Sequence, residues 1–299
     1  MTDPSRPADR GEELRFAQLA RPTVHSRRRL IVASLVLVGG ILASAVLLIV
    51  ILVVSGLGDL LLSDDPGAVG LALTLLTVPL ITLPPAALTA RGVLRMRLGE
   101  VCSVEGAFRW GWFWRCLAVA ITVAVTTSAV SLWWGGSAAF RLADQWQALA
   151  VVVLLGVPLA AFAEEFVFRG VLTHILGARW SRPLTAVTVP AVTTSVLFGL
   201  VHGMAGIVMF LVTVAGGLLY AILCDQTGGL EAATAAHTAW NGVLMISVFL
   251  LSTSDAGQST TAVAATLATD LLLVALLVLL ARRTAVARLR QAVPVPAAG

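Results

Sequence analysis

From Leu30 to Ser55 the chain runs without a single charged side chain, and it does so again from Ala68 to Ala90 and from Cys116 to Trp134. A helix rising about 1.5 Å per residue needs roughly 20 such residues to cross the hydrocarbon core of a bilayer. Inside lipid the backbone must satisfy its own hydrogen bonds, so runs of this length form helices. The pattern predicts an all-α, polytopic membrane bundle of eight transmembrane helices, at about residues 30–55, 68–90, 116–134, 147–174, 188–203, 206–224, 230–251 and 262–281. Composition points the same way. Only 12% of the residues are charged and 58% are hydrophobic, against about 25% charged in a water-facing domain. A soluble domain, a disordered chain and a nucleic-acid-binding protein are excluded together, because each needs more charge.

Every basic residue is an arginine, and the arginines cluster between the apolar runs. Seven precede the first run; Arg91, Arg95, Arg97, Arg109 and Arg115 lie between the second and third; Arg179 and Arg182 follow the fourth; Arg282, Arg283, Arg288 and Arg290 follow the last. Asp59, Asp64, Asp65, Asp144 and Asp255 fall in the alternate loops, with Arg141 the only base there. Positive charge near helix ends stays on the cytoplasmic side, so both termini are expected in the cytoplasm. Residues 1–29 read as a polar, mobile tail and the Ala/Val/Pro-rich C-terminus as equally unstructured. Trp110, Trp112 and Trp114 suit the aromatic belt at headgroup level. Cys102, Cys116 and Cys224 are odd in number and lack CxxC spacing, which predicts buried, reduced thiols rather than a disulfide framework or a thiolate metal site.

Ionisable side chains inside membrane spans cost at least about 2.5–3.5 kcal/mol each on insertion scales and mark functional positions. Most of them here fall in three spans: Glu164, Glu165 and Arg169 in the fourth, His202 closing the fifth, and His237, with the polar Asn241, in the seventh. Residues four apart share a helix face. Glu165 therefore stacks over Arg169, whereas Glu164 points about 100° away, free to face a polar cavity. His237 and Asn241 likewise present an imidazole and a carboxamide to one point. A carboxylate, an imidazole and a donor pair make a hydrolytic set. No serine or cysteine stands at helical spacing from a histidine in these spans, which disfavours a covalent nucleophile. The same residue types also suit an ion-coupled carrier, although residues 30–134 and 147–281 show no repeat of the kind transporters carry. A non-catalytic scaffold or immunity protein is the third reading. Asp270, alone in the last span, reads as a bundle-pairing residue, and His174 as interfacial.

The three segments in this order resemble the signature of the CPBP family of intramembrane proteases, which includes type II CAAX prenyl endopeptidases and bacteriocin-processing or immunity proteins. The family pattern EExxxR, FxxxH, HxxxN appears as Glu164-Glu165 to Arg169, Phe198 to His202, and His237 to Asn241. The resemblance implies that Glu164 activates the attacking water, His202 helps hold it, His237 and Asn241 stabilise the oxyanion, and Glu165 with Arg169 supports the glutamate helix. Glu164, His202 and His237 would also supply a carboxylate and imidazole set for zinc. Water activated without metal fits the same residues and is the preferred expectation. The implied substrate is a membrane-associated protein or peptide; oligomeric state is left open.

On this reading residues 1–29 form a cytoplasmic tail, 30–146 variable helices, 147–251 the catalytic core, and 252–299 the last helix and a tail. The lysine-free, Ala-, Val- and Arg-rich composition suggests a GC-rich bacterial genome and hence a bacterial plasma membrane. One mismatch arises. If the fifth span began at Pro183, His202 would lie deeper than Glu164, so residues 175–188 are expected along the interface, with the span starting near Pro190.

Overall fold

The computed structural model describes residues 13–24, 26–61, 67–135, 142–202, 206–247 and 260–291. Long helices dominate: α1 (Arg27–Val54), α2 (Gly67–Leu88), α3 (Trp110–Gly135), α4 (Trp146–Glu165), α5 (Pro183–His202), α6 (Ile207–Thr227), α7 (Glu231–Met245) and α8 (Thr260–Arg283). Asp64, Asp65, Arg141, Asp255, the end of the seventh expected span and the outer parts of both tails lie outside the described residues. Seven helical stretches are long and apolar enough to cross a membrane. The eighth expected span is α7, which is helical over 15 described residues. Its composition explains why it stands apart: Glu231 through Ala239 are all buried within the protein, so it meets helices rather than lipid. Its alanines let α3, α4 and α6 approach closely. By contrast α1 presents Leu35, Leu42, Val46 and Val53 outward.

Two short strands, β1 (Glu13–Arg15) and β2 (Leu289–Gln291), pair antiparallel. They join the stretch before α1 to the stretch after α8 at one end of the bundle. Ends that meet on one side fit an even number of passes through the bundle, and α7, between α6 and α8, adds a helix to the seven long enough to span. This same end collects the loops that follow α2, α4 and α6.

The structure departs from expectation at both tails. Residues 13–24 pack down rather than trailing into solvent: Leu14, Phe16, Gln18 and Ala20 are buried, and Thr23 Oγ1 donates to the Leu94 carbonyl at 2.7 Å. The fifth span also starts at Pro183, not near Pro190. Proline is tolerated in the first turn of a helix, and Pro190, though interior, is buried against its neighbours. Trp110 and Trp114 are exposed as a headgroup belt requires, but Trp112 is buried. All three cysteines are free and buried, as expected.

One arginine sets the register of α7. Arg109 donates from its backbone amide (2.8 Å) and Nε (3.0 Å) to Glu231 Oε1, and from Nη2 to Glu231 Oε2 (2.7 Å) and the Thr227 carbonyl (2.8 Å). Its Nη1 reaches the Ala287 carbonyl at 3.2 Å. The end of α6, the start of α7 and the stretch after α8 are thereby fixed to each other. The tight turn between α6 and α7 depends on Gly228, whose φ of +66° is left-handed; a side chain there would strike the Ala287 carbonyl.

Candidate active site

The site is built where α4, α5, α6 and α7 meet. Just past Glu165 the α4 helix loosens: residues Phe166–Leu172 form a π-helical stretch, followed by the short helix Thr173–Gly177. Such wide turns are rare and concentrate at functional sites. Thr173 Oγ1 donates to the Phe168 carbonyl five residues back at 3.0 Å, and Gly170 lies against Val101 and Leu230.

Glu165 and Arg169 are both fully buried. Arg169 Nη1 donates to Glu165 Oε1 at 3.0 Å, the i,i+4 pair expected from helical spacing. The guanidinium lies over the Phe198 ring at 4.5 Å from its centroid, a favourable cation–π geometry. Space for it exists because position 217 has no side chain; a Cβ there would lie 2.9 Å from Arg169 Nη2 and 3.0 Å from Ser195.

The same Glu165 oxygen has a second partner. His237 Nδ1 stands 2.9 Å from Glu165 Oε1. That contact assigns the Nδ1 proton to the Glu165 side and turns Nε2 the other way, toward Glu164 Oε2 at 3.5 Å. His237 thus stands between two adjacent carboxylates that spacing alone had assigned to different faces: Glu165 is shared by arginine and histidine, and Glu164 faces only the histidine. The Tyr220 ring lies 5.5 Å from the imidazole at 34°, and Phe198 meets it edge-on at 5.9 Å. Asn241 follows one turn later on α7, half-buried.

His202 is not drawn into this cluster. Its Nδ1 is 2.8 Å from the Phe198 carbonyl of its own helix, its ring lies 4.4 Å from Phe198 at a 49° tilt, and it is exposed. The same Phe198 ring meets His237 at 5.9 Å. Glu164, His202 and His237 do not form a ligand set in this structure: no group of three His, Cys, Asp or Glu side chains suited to a metal occurs among the described residues.

His174 belongs elsewhere. It is fully buried, with Nε2 at 3.4 Å from the Val101 carbonyl and its ring edge-on to Phe16 at 4.7 Å. Asp270 is buried on α8, and a Cβ on Gly216 of α6 would lie 3.9 Å from its carboxylate. Two features escaped sequence reasoning, the π-helical stretch and Tyr220 over the imidazole. Gly170 and the chain's one tyrosine were their only local signals.

Comparison with known families places this cluster in context. Residues 145–243 match the family described as type II CAAX prenyl endopeptidase Rce1-like. The chain carries an Rce1-like domain. The match spans α4 through most of α7 and so contains every residue of the buried cluster. It agrees with the CPBP resemblance carried by the three motifs. The Rce1-like domain excludes α1 to α3 and α8, which wall it in. No curated protein and no solved structure matches the chain.

Proposed function

We propose that the protein is an intramembrane endopeptidase that hydrolyses a peptide bond of a membrane-associated protein or peptide. The observation that carries this reading is the position of His237, bracketed by Glu164 and Glu165 within a domain of the Rce1-like CAAX protease family. Glu164 is the general base. It is the less buried of the two carboxylates and, unlike Glu165, pairs with no arginine among the described residues, so its oxygens are available to take a proton from water. His237, held between the two carboxylates as the imidazolium with Nδ1–H donated to Glu165, directs Nε2–H at the same point, and Asn241 adds an amide donor one turn away. Together these two face the oxyanion that forms when hydroxide adds to the carbonyl, and such preorganised donors account for roughly 10²–10³ in rate each. As the tetrahedral intermediate collapses, the proton taken by Glu164 passes to the leaving amine. His202 takes no part in this step, because it stands outside the cluster with Nδ1 on the Phe198 carbonyl. Glu165 and Arg169 are positioning residues.

The bacterial plasma membrane with both termini cytoplasmic is the setting we propose, with water drawn from the cytoplasmic side. The test is Glu164→Gln in purified protein reconstituted in liposomes with a membrane peptide substrate. We expect turnover to fall by about 10²–10⁴ while the helical content is unchanged. Undiminished cleavage by this variant would overturn the assignment, and wild-type activity lost on chelation and restored by zinc would replace the metal-free step.

A further inference from the structure

A small cavity lies behind the ion pair, toward the end of the bundle where the two strands pair. Arg169, Thr173, Cys224 and Asp225 line it, and Phe16 and Ala17 of the N-terminal segment form its wall on one side. It is large enough for a water molecule, which needs about one probe sphere of room and two or more polar partners. A partner is waiting: Arg169 is fully buried, and its Nε and Nη2 have no hydrogen-bond partner. Buried donors of a charged group left unpaired are costly, and this cavity is polar only where Arg169, Thr173 and Asp225 border it.

The segment over the cavity packs on α5, α6 and the short helix Thr173–Gly177 through non-covalent contacts. Phe16 is buried against His174, and the Ala17 carbonyl presses on Gly177, where any side chain would collide with it. Arg15 Nη1 reaches both Asp225 oxygens, at 3.1 and 2.8 Å. Gln18 Nε2 donates to the Trp180 and Ser181 carbonyls at 3.1 and 3.3 Å, and β1 pairs with β2. All of these ties are non-covalent, and the segment rejoins the bundle where α1 begins at Arg27.

We propose that this cavity is a water-binding site serving the Arg169 guanidinium, and that residues 15–18 are its removable cover, whose lifting joins the ion pair behind His237 to bulk solvent. Water bound there completes the hydrogen bonding of the guanidinium while Nη1 stays on Glu165. The ligand class is water, and the route opens on the side where the chain's ends meet.

Cys224 reports on the cavity directly, and Cys102 and Cys116 lie outside it. The full chain, reconstituted in liposomes opened by mild detergent, is treated with a charged, water-soluble methanethiosulfonate, and labelling of each cysteine is followed by peptide mass spectrometry. The readout requires no turnover, so it stands or falls apart from the protease reading. Cys224 in the wild type should label slowly. Arg15→Ala should speed it roughly fivefold, from loss of a half-exposed ion pair, and Phe16→Ala more than tenfold, from loss of a buried aromatic anchor. Cys102 and Cys116 should stay at wild-type rates in both. Equal Cys224 rates in all three proteins would overturn the proposal. A parallel rise at all three cysteines would overturn it too, because the segment would then be part of the fold rather than a cover.

Discussion

Glu164 and Glu165 are neighbours of identical chemistry, yet the same isosteric change should have opposite consequences at the two positions. In Glu165→Gln the volume is kept but the charge is removed from an oxygen that receives Arg169 Nη1 at 3.0 Å and His237 Nδ1 at 2.9 Å. The guanidinium left behind has 1% of its side chain exposed and no other carboxylate in contact. Breaking one partner of a buried ion pair costs about 3–5 kcal/mol. At about 2–4 °C per kcal/mol for a chain of this size, thermal unfolding in detergent should shift down by on the order of 10 °C. Glu164 has no comparable partner among the described residues, its one ion pair there being with His237 at 3.5 Å, so Glu164→Gln should move the midpoint by no more than about 2 °C. Adding Arg169→Met to Glu165→Gln removes the stranded charge and should recover at least half the loss, the sign expected when both members of a buried pair are replaced. Differential scanning fluorimetry on the three variants, at fixed detergent and lipid, reads all of this. Equal midpoints for Glu165→Gln and wild type would refute the argument, as would a double variant less stable than Glu165→Gln alone.

Two further outcomes follow from the packing. Gly217→Val places a branched side chain where even a Cβ would lie 2.9 Å from Arg169 Nη2 and 3.0 Å from Ser195; overpacking of this kind costs about 1–3 kcal/mol, and turnover should fall with the midpoint as the guanidinium is pushed off Phe198. Cys102 lies outside the spans, where burial and the charge of Glu231 push its thiol up to about 12; at pH 8 roughly one in 10⁴ molecules carries the thiolate, so N-ethylmaleimide should leave Cys102 unlabelled until the protein is denatured.

Much of the architecture was legible because lipid imposes a strict grammar: uncharged runs of membrane length had to be helices, and the arginine clusters marked one face of the bundle. The Glu165–Arg169 contact was legible for a similarly local reason, since positions four apart on a helix adjoin whatever surrounds them. What stayed hidden depends on distant parts of the chain. Glu165 meeting His237 joins α4 to α7, and helical periodicity says which way a side chain turns but not which helix stands there. Residues 13–24 read as a tail because Arg15, Gln18 and Thr23 are polar; their partners are Asp225, the Trp180 and Ser181 carbonyls and the Leu94 carbonyl, none within reach of a local pattern. His202 shows the reverse case. Its motif suggested the cluster, but at the end of α5 it is exposed beside Phe198, with Nδ1 on the Phe198 carbonyl.

The β1–β2 ladder also orders events in time. Glu13–Arg15 leave the ribosome before any helix exists, but Leu289–Gln291 are synthesised only after all eight helices have been made. Until then the first segment lacks its strand partner, although its side-chain ties to Asp225, Trp180 and Ser181 are available once α6 has been made. Strand pairing is thus the last of these contacts to form, and it joins the first described residues to the last.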